Sequence, residues 1–140
     1  MESVKSPTQA HDCSRIRQIL EDAYIRDMYV QRGSGPFARE FAECFQMLVP
    51  EIDGRTGMTI AADWVGREEM TKNHPKAIHP NTRFEFPWIE IEGNAAVARI
   101  EILENEAPKY TDFVCLHRID GSWRIVSKLF HNHSRASVPR

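Results

Sequence analysis

The chain has 140 residues, 41% of them hydrophobic and 27% charged, with a formal net charge of −2. That length fits one domain able to bury an apolar core without disulfide or metal staples. The small negative charge, with lysine and arginine scattered rather than clustered, excludes a general nucleic-acid binder, which needs a basic face for phosphates.

Cys13, Cys44 and Cys115 are odd in number and widely spaced, so they form neither a disulfide framework nor a CxxC metal motif. A reducing, cytoplasmic setting is the simplest expectation. No apolar run is long enough for a membrane span, and the opening MESVKSPTQAHD lacks the apolar stretch of a signal peptide. We expect one domain over residues 1–140, with an ordered core at about 12–134 and polar tails on both sides.

Residues 12–31 carry Ile16, Ile19, Leu20, Ala23, Tyr24 and Met28 at helical spacing, which predicts an amphipathic first helix. Gly33-Ser34-Gly35 then breaks the chain, and Pro36 suits the first turn of a second helix, where its missing N–H costs nothing. That helix would gather Phe37, Phe41, Cys44, Phe45 and Leu48 on one face and stop at Pro50. A loop follows, then a short strand near residues 58–61, then a third, short helix in GREEMTKNHP, ended by Pro75.

From Thr82 the period changes to two. Ile89 and Ile91 alternate with Glu90 and Glu92, Gly93-Asn94 turns the chain, and Ala96, Ala98, Ile100 and Ile102 return, which together predict a hairpin. Phe84, Phe86 and Trp88 have the opposite parity to Ile89 and Ile91, with Pro87 at the switch. Either a bulge re-aims the strand there or residues 82–87 are a connecting segment.

A second hairpin closes at Asp120-Gly121. A two-residue loop sets Ile119 against Ser122 and Arg118 against Trp123. Extended outward in step, this register places Leu116, Trp123, Ile125, Val114, Ser127, Asp112, Leu129, Tyr110 and His131 on one face. Phe113, Cys115, Val126 and Phe130 fall on the other. Helices first and antiparallel strands afterwards predict an α+β fold, with three N-terminal helices packed on a curved, mainly antiparallel sheet.

The first helix through Tyr24, the stretch FQMLVPE, the segment IEIEGNAAVARIEI and above all YTDFVCLHRIDGSWRIVSKLF resemble the nuclear transport factor 2-like superfamily. Within it the chain is most similar to the group labelled putative lumazine-binding proteins, near the polyketide cyclase-like (SnoaL-like) branch. The resemblance covers roughly residues 14–133 and implies a cone-shaped fold with an internal pocket for a small organic molecule. It also implies a homodimer through the convex sheet, for which the face of Phe113, Cys115, Val126 and Phe130 would serve. The superfamily contains isomerases, dehydratases, cyclases, hydrolases and plain binding modules, so fold alone selects no activity. The sequence departs from the family where FQMLVPEIDGRTG replaces a compact Phe-His-Pro turn.

Asp112 and His131 are the sharpest catalytic candidates. On one pocket wall, such a pair would take a proton from carbon beside a carbonyl or activate a water. The competing reading has Asp112 holding a loop or helix end and His131 lying at a strand end. Tyr24 would aim its hydroxyl into the same cavity as an oxyanion donor, or simply belong to the core. Phe45, Trp64, Trp88 and Tyr110 suit the walls of a flat apolar site, with core packing as their alternative. His131 and His133 alone, or His74 and His79 on their Pro-flanked loop, do not make a metal site, and there is no phosphate loop or nucleophile elbow, so no cofactor is expected. The expected function is binding of a small apolar or aromatic molecule and, if the protein is an enzyme, cofactor-independent acid–base chemistry of the isomerase, dehydratase or cyclase type; the alternative is a non-catalytic binding or dimeric interaction module.

Overall fold

In the computed structural model, residues 7–30, 39–73 and 80–133 are described. The first helix, α1 (Pro7–Ile19), begins on a proline, which suits a position whose N–H has no helical partner. It therefore starts five residues earlier than the apolar spacing indicates, inside the expected N-terminal tail. From Leu20 to Val30 the chain stays helical but widens to π-type turns. Ile16, Ile19, Leu20, Ala23 and Tyr24 are all buried, so one helical stripe from Ile16 to Tyr24 faces the sheet. The rest of the expected tails, the Gly-rich break, the first residues of the expected second helix, and His74 and His79 lie outside the described residues.

The second helix needs correction. Arg39 and Glu40 are helical, but from Phe41 the chain is strand β1 (Phe41–Ile52). The physical reason is that Phe41 and Phe45, four apart, share a face under either period. Here a register shift between Phe41 and Gln46 keeps both buried, with their rings 4.9 Å apart edge to face. Among the described residues, the helices are thus α1 with its π-type extension and a short α2 (Arg67–Asn73), not three N-terminal helices. The helix α2 follows β2 (Thr59–Gly66), carries Glu68 and Glu69 in its first turn, and buries Met70.

The remaining strands are β3 (Thr82–Glu92), β4 (Ala95–Glu104), β5 (Ala107–Ile119) and β6 (Ser122–Asn132). They form a six-stranded sheet in the order β2-β1-β6-β5-β4-β3. The strand β1 runs parallel to β6, and the other neighbours are antiparallel. The hairpin at Gly93-Asn94 is present, and the register of β3 shifts between Glu85 and Trp88, at Pro87, as a bulge rather than a loose connection. Five such register shifts are spread over the sheet, each adding local bend and twist.

The Asp120-Gly121 turn is also present, with φ of 50° and 78°, the left-handed pair that matches strand twist. Ile119 faces Ser122, Arg118 faces Trp123 and Leu116 faces Ile125, as the turn dictates. Then the ladder slips: Cys115 faces Ser127, leaving Val126 as an extra residue in β6. Beyond this bulge every side chain of β6 changes face relative to the straight register. Lys128 and Phe130 move to the face that meets the helix, while Leu129 and His131 leave it.

Candidate active site

The slip in β6 decides which groups meet. Asp112 lies opposite Phe130 and diagonal to Lys128, which lies opposite Val114. Above them, the helical stripe that buries Ile16, Ile19 and Leu20 ends with Tyr24. The Tyr24 hydroxyl donates a hydrogen bond to Asp112 Oδ2. The ammonium of Lys128 lies 3.4 Å from the same oxygen and 4.9 Å from the centre of the Tyr24 ring. All three are sealed from bulk water: Tyr24 is 0%, Asp112 1% and Lys128 5% exposed. A carboxylate and an ammonium removed from water need each other, since either alone would carry a large desolvation penalty.

Asp112 and Tyr24, two of the three expected catalytic residues, are therefore brought together. His131 is not. It is exposed, sits opposite Thr111, and stacks edge-on against His133 with ring centres 4.9 Å apart. Thr111 in turn meets Glu101 at 2.5 Å and His133 Nε2 at 2.8 Å. The residue that sequence reasoning missed is Lys128. Its only signal was the Trp-x-Ile-Val-x-Lys run, where the adjacent apolar residues Ile125 and Val126 already break strict alternation.

A cleft opens beside this cluster. The recorded pairing of β1 with β6 ends at Met47 and Lys128. Past that rung the two strands frame a space of about 730 Å³, lined by Leu48, Val49 and Pro50 on one side and Tyr110, Leu129, Phe130 and His131 on the other. Phe130 joins cleft to cluster: its ring meets Tyr110 at 6.0 Å and lies 5.7 Å from the Lys128 ammonium. Among the expected wall residues, Tyr110 lines the cleft, whereas Phe45 is core.

Trp64 and Trp88 are corrected to the opposite face of the sheet, where they are 51% and 41% exposed. Their positions follow from register. Trp64 faces Leu48, Leu129 faces Phe113, Phe113 faces Arg99, and Arg99 faces Trp88. Two apolar groups thus lie on the outer surface, Trp64 with Leu48 on one side of the cleft and Leu129, Phe113 and Trp88 around Arg99 on the other, with the Trp88 and Phe113 rings 6.3 Å apart. Phe130, expected on this face, is replaced there by Leu129, 45% exposed. Among the described residues, no three histidine, cysteine or acidic side chains gather as metal ligands, and no helix is long and apolar enough to cross a membrane.

The sequence and the fold have known counterparts. Residues 14–131 match the model of the family described as putative lumazine-binding. The aldolase FrzH of a Cladobotryum species is 40% identical over 119 residues, spanning 84% of this chain and 90% of that protein. A nuclear transport factor 2-like protein of unknown function from Methylobacillus flagellatus KT superposes with a TM-score of 0.63 at 25% identity, over 95% of this chain and 99% of that one. One from Silicibacter pomeroyi DSS-3 gives a TM-score of 0.65 at 18% identity, over 91% and 99%.

Proposed function

Because the chain belongs to the putative lumazine-binding family of the nuclear transport factor 2-like superfamily, we propose that it binds a small, mostly apolar carbonyl compound and moves a proton at the carbon beside that carbonyl, without a cofactor. The observation that carries this reading is the buried Tyr24–Asp112–Lys128 cluster. Among the described residues, Tyr24 and Lys128 both meet Asp112 at Oδ2, so Oδ1 is assigned as the atom that takes the substrate proton. Negative charge then develops on the carbonyl oxygen. The Lys128 ammonium, and the Tyr24 hydroxyl once it turns its one O–H from Asp112 Oδ2 to that oxygen, are the donors that stabilise it. Exclusion of water strengthens both effects, because charges interact more strongly at low dielectric.

Enolate formation is the shared first step of isomerisation, aldol-type cyclisation and aldol addition. The name of the Cladobotryum relative supports the aldol branch of this group. The aromatic and apolar lining from Pro50, Tyr110 and Phe130 favours an aryl or alicyclic substrate.

The test is proton exchange. Phenylacetone in D₂O, followed by NMR, is expected to lose its benzylic protons faster with the protein than in buffer. Tyr24→Phe, which removes only the hydroxyl, should slow that exchange about 10²–10³-fold. Exchange at the buffer rate with the wild-type protein, across phenylacetone and its alicyclic analogues, would reject the reading.

A specific observation favours a second role beside the first. The outer groups of Trp64, Leu48, Leu129, Phe113 and Trp88 are the kind of exposed apolar surface that marks an interface, and we assign them to a homodimer formed through the sheet.

A further inference from the structure

Resting on the acid–base reading above, the geometry points to a covalent role for Lys128: we propose that its amine condenses with the substrate ketone or aldehyde to form an iminium. A lysine that only neutralised Asp112 would be satisfied anywhere around the carboxylate. Lys128 instead stands at the last paired rung of β1 and β6, one residue before the cleft-lining Leu129 and Phe130. Its nitrogen lies between the rings of Tyr24 and Phe130, at 4.9 Å and 5.7 Å, and Phe130 is itself a wall of that cleft.

The same three groups supply every proton transfer the condensation needs. Asp112, 3.4 Å from the ammonium, takes one proton and leaves a neutral amine. The nitrogen lone pair forms the C–N bond while the carbonyl π pair moves to oxygen, which takes a proton from the Tyr24 hydroxyl. The nitrogen of the resulting adduct first gives a proton to the Tyr24 phenolate, which restores the hydroxyl and frees the nitrogen lone pair. Asp112 then returns its proton to the carbinol hydroxyl, which leaves as water as that lone pair closes the C=N bond. One ammonium and one carbonyl thus become one iminium and one water, with a single positive charge on each side. The iminium lies against the Asp112 carboxylate, which then removes the α-proton to give an enamine. Hydrolysis reverses the sequence and frees the lysine.

The experiment is reductive trapping on the full chain. Wild-type protein is incubated with phenylacetone in D₂O, one portion is followed for benzylic exchange, and another is quenched with sodium borohydride and peptide-mapped. Trapping adds the mass of the probe less its oxygen. The expected result is saturable labelling of Lys128 at least tenfold above Lys109, whose amine is ion-paired with Glu104 on the surface. Asp112→Asn should cut labelling of Lys128 at least tenfold and leave Lys109 unchanged. If exchange exceeds buffer but Lys128 gains no more label than Lys109, the iminium is overturned and the acid–base reading stands. If neither exchange nor label is seen, both fall. Equal labelling of Lys128 in wild type and Asp112→Asn would overturn the part given to Asp112.

Discussion

A lysine with 5% of its surface exposed is tolerable only because of what surrounds it. Lys128 has Asp112 on one side and the faces of Tyr24 and Phe130 on the others, so the charge is paired and its stem is packed. The consequence for stability is asymmetric. Lys128→Met leaves an unpaired carboxylate in the core and is expected to cost about 3–5 kcal/mol, whereas Asp112→Asn combined with Lys128→Met leaves no buried charge and should recover most of that loss. Urea unfolding of the two variants reads the difference. A Lys128→Met protein as stable as wild type would show that the pair is solvated.

The element that makes this site is a single extra residue. Up to Leu116 and Ile125 the hairpin register was legible from Asp120-Gly121, because turn geometry fixes the first pairs. The two adjacent apolar pairs, Ile125-Val126 and Leu129-Phe130, fit either face, so nothing in composition located the bulge at Val126. Asp112 and Tyr24 were legible because their own elements run without a slip between them and the core. The misread helix has a similar origin, since Phe41 and Phe45 fit both periods. The Pro87 bulge was visible as a change of parity.

Turn chemistry gives two tests at this scale. Gly121 has φ of 78°, so Gly121→Ala should destabilise the hairpin by about 1 kcal/mol, measured as a lower urea midpoint with unchanged slope. At the β4–β5 turn, Glu106 accepts two hydrogen bonds from Arg83, at 2.8 and 3.2 Å. These bonds hold the Glu106 carboxyl below its usual range and the Arg83 guanidinium above its own. A lowered carboxyl contributes above its ordinary titration range and loses that contribution only as pH falls through the lowered value. NMR titration should therefore show Glu106 ionised further into acid than its exposed neighbours. A midpoint at the ordinary carboxylate value would mean the Arg83 contact is not kept in solution.

At the scale of the whole molecule, the two faces of one sheet divide the work. The inner face packs against α1 and carries the Tyr24–Asp112–Lys128 cluster, while the outer face exposes apolar groups that a second copy would cover. Leu129 belongs to these groups and points away from the cluster. Leu129→Glu is therefore expected to convert a dimer to a monomer in light scattering. A wild-type protein that is monomeric at high micromolar concentration would reject the dimer. The curved sheet with a helix laid across it was legible in the order of elements, but the site was not, because it depends on how far β1 and β6 stay paired.

The proposed reaction requires Asp112 to act as a base inside this cluster. Benzylic proton exchange of phenylacetone in D₂O, compared between wild type and Asp112→Asn at matched foldedness, tests that most directly. The predicted result is a fall of about 10²–10⁴-fold in the variant, the range expected for loss of a positioned general base. Equal exchange in the two proteins would contradict it.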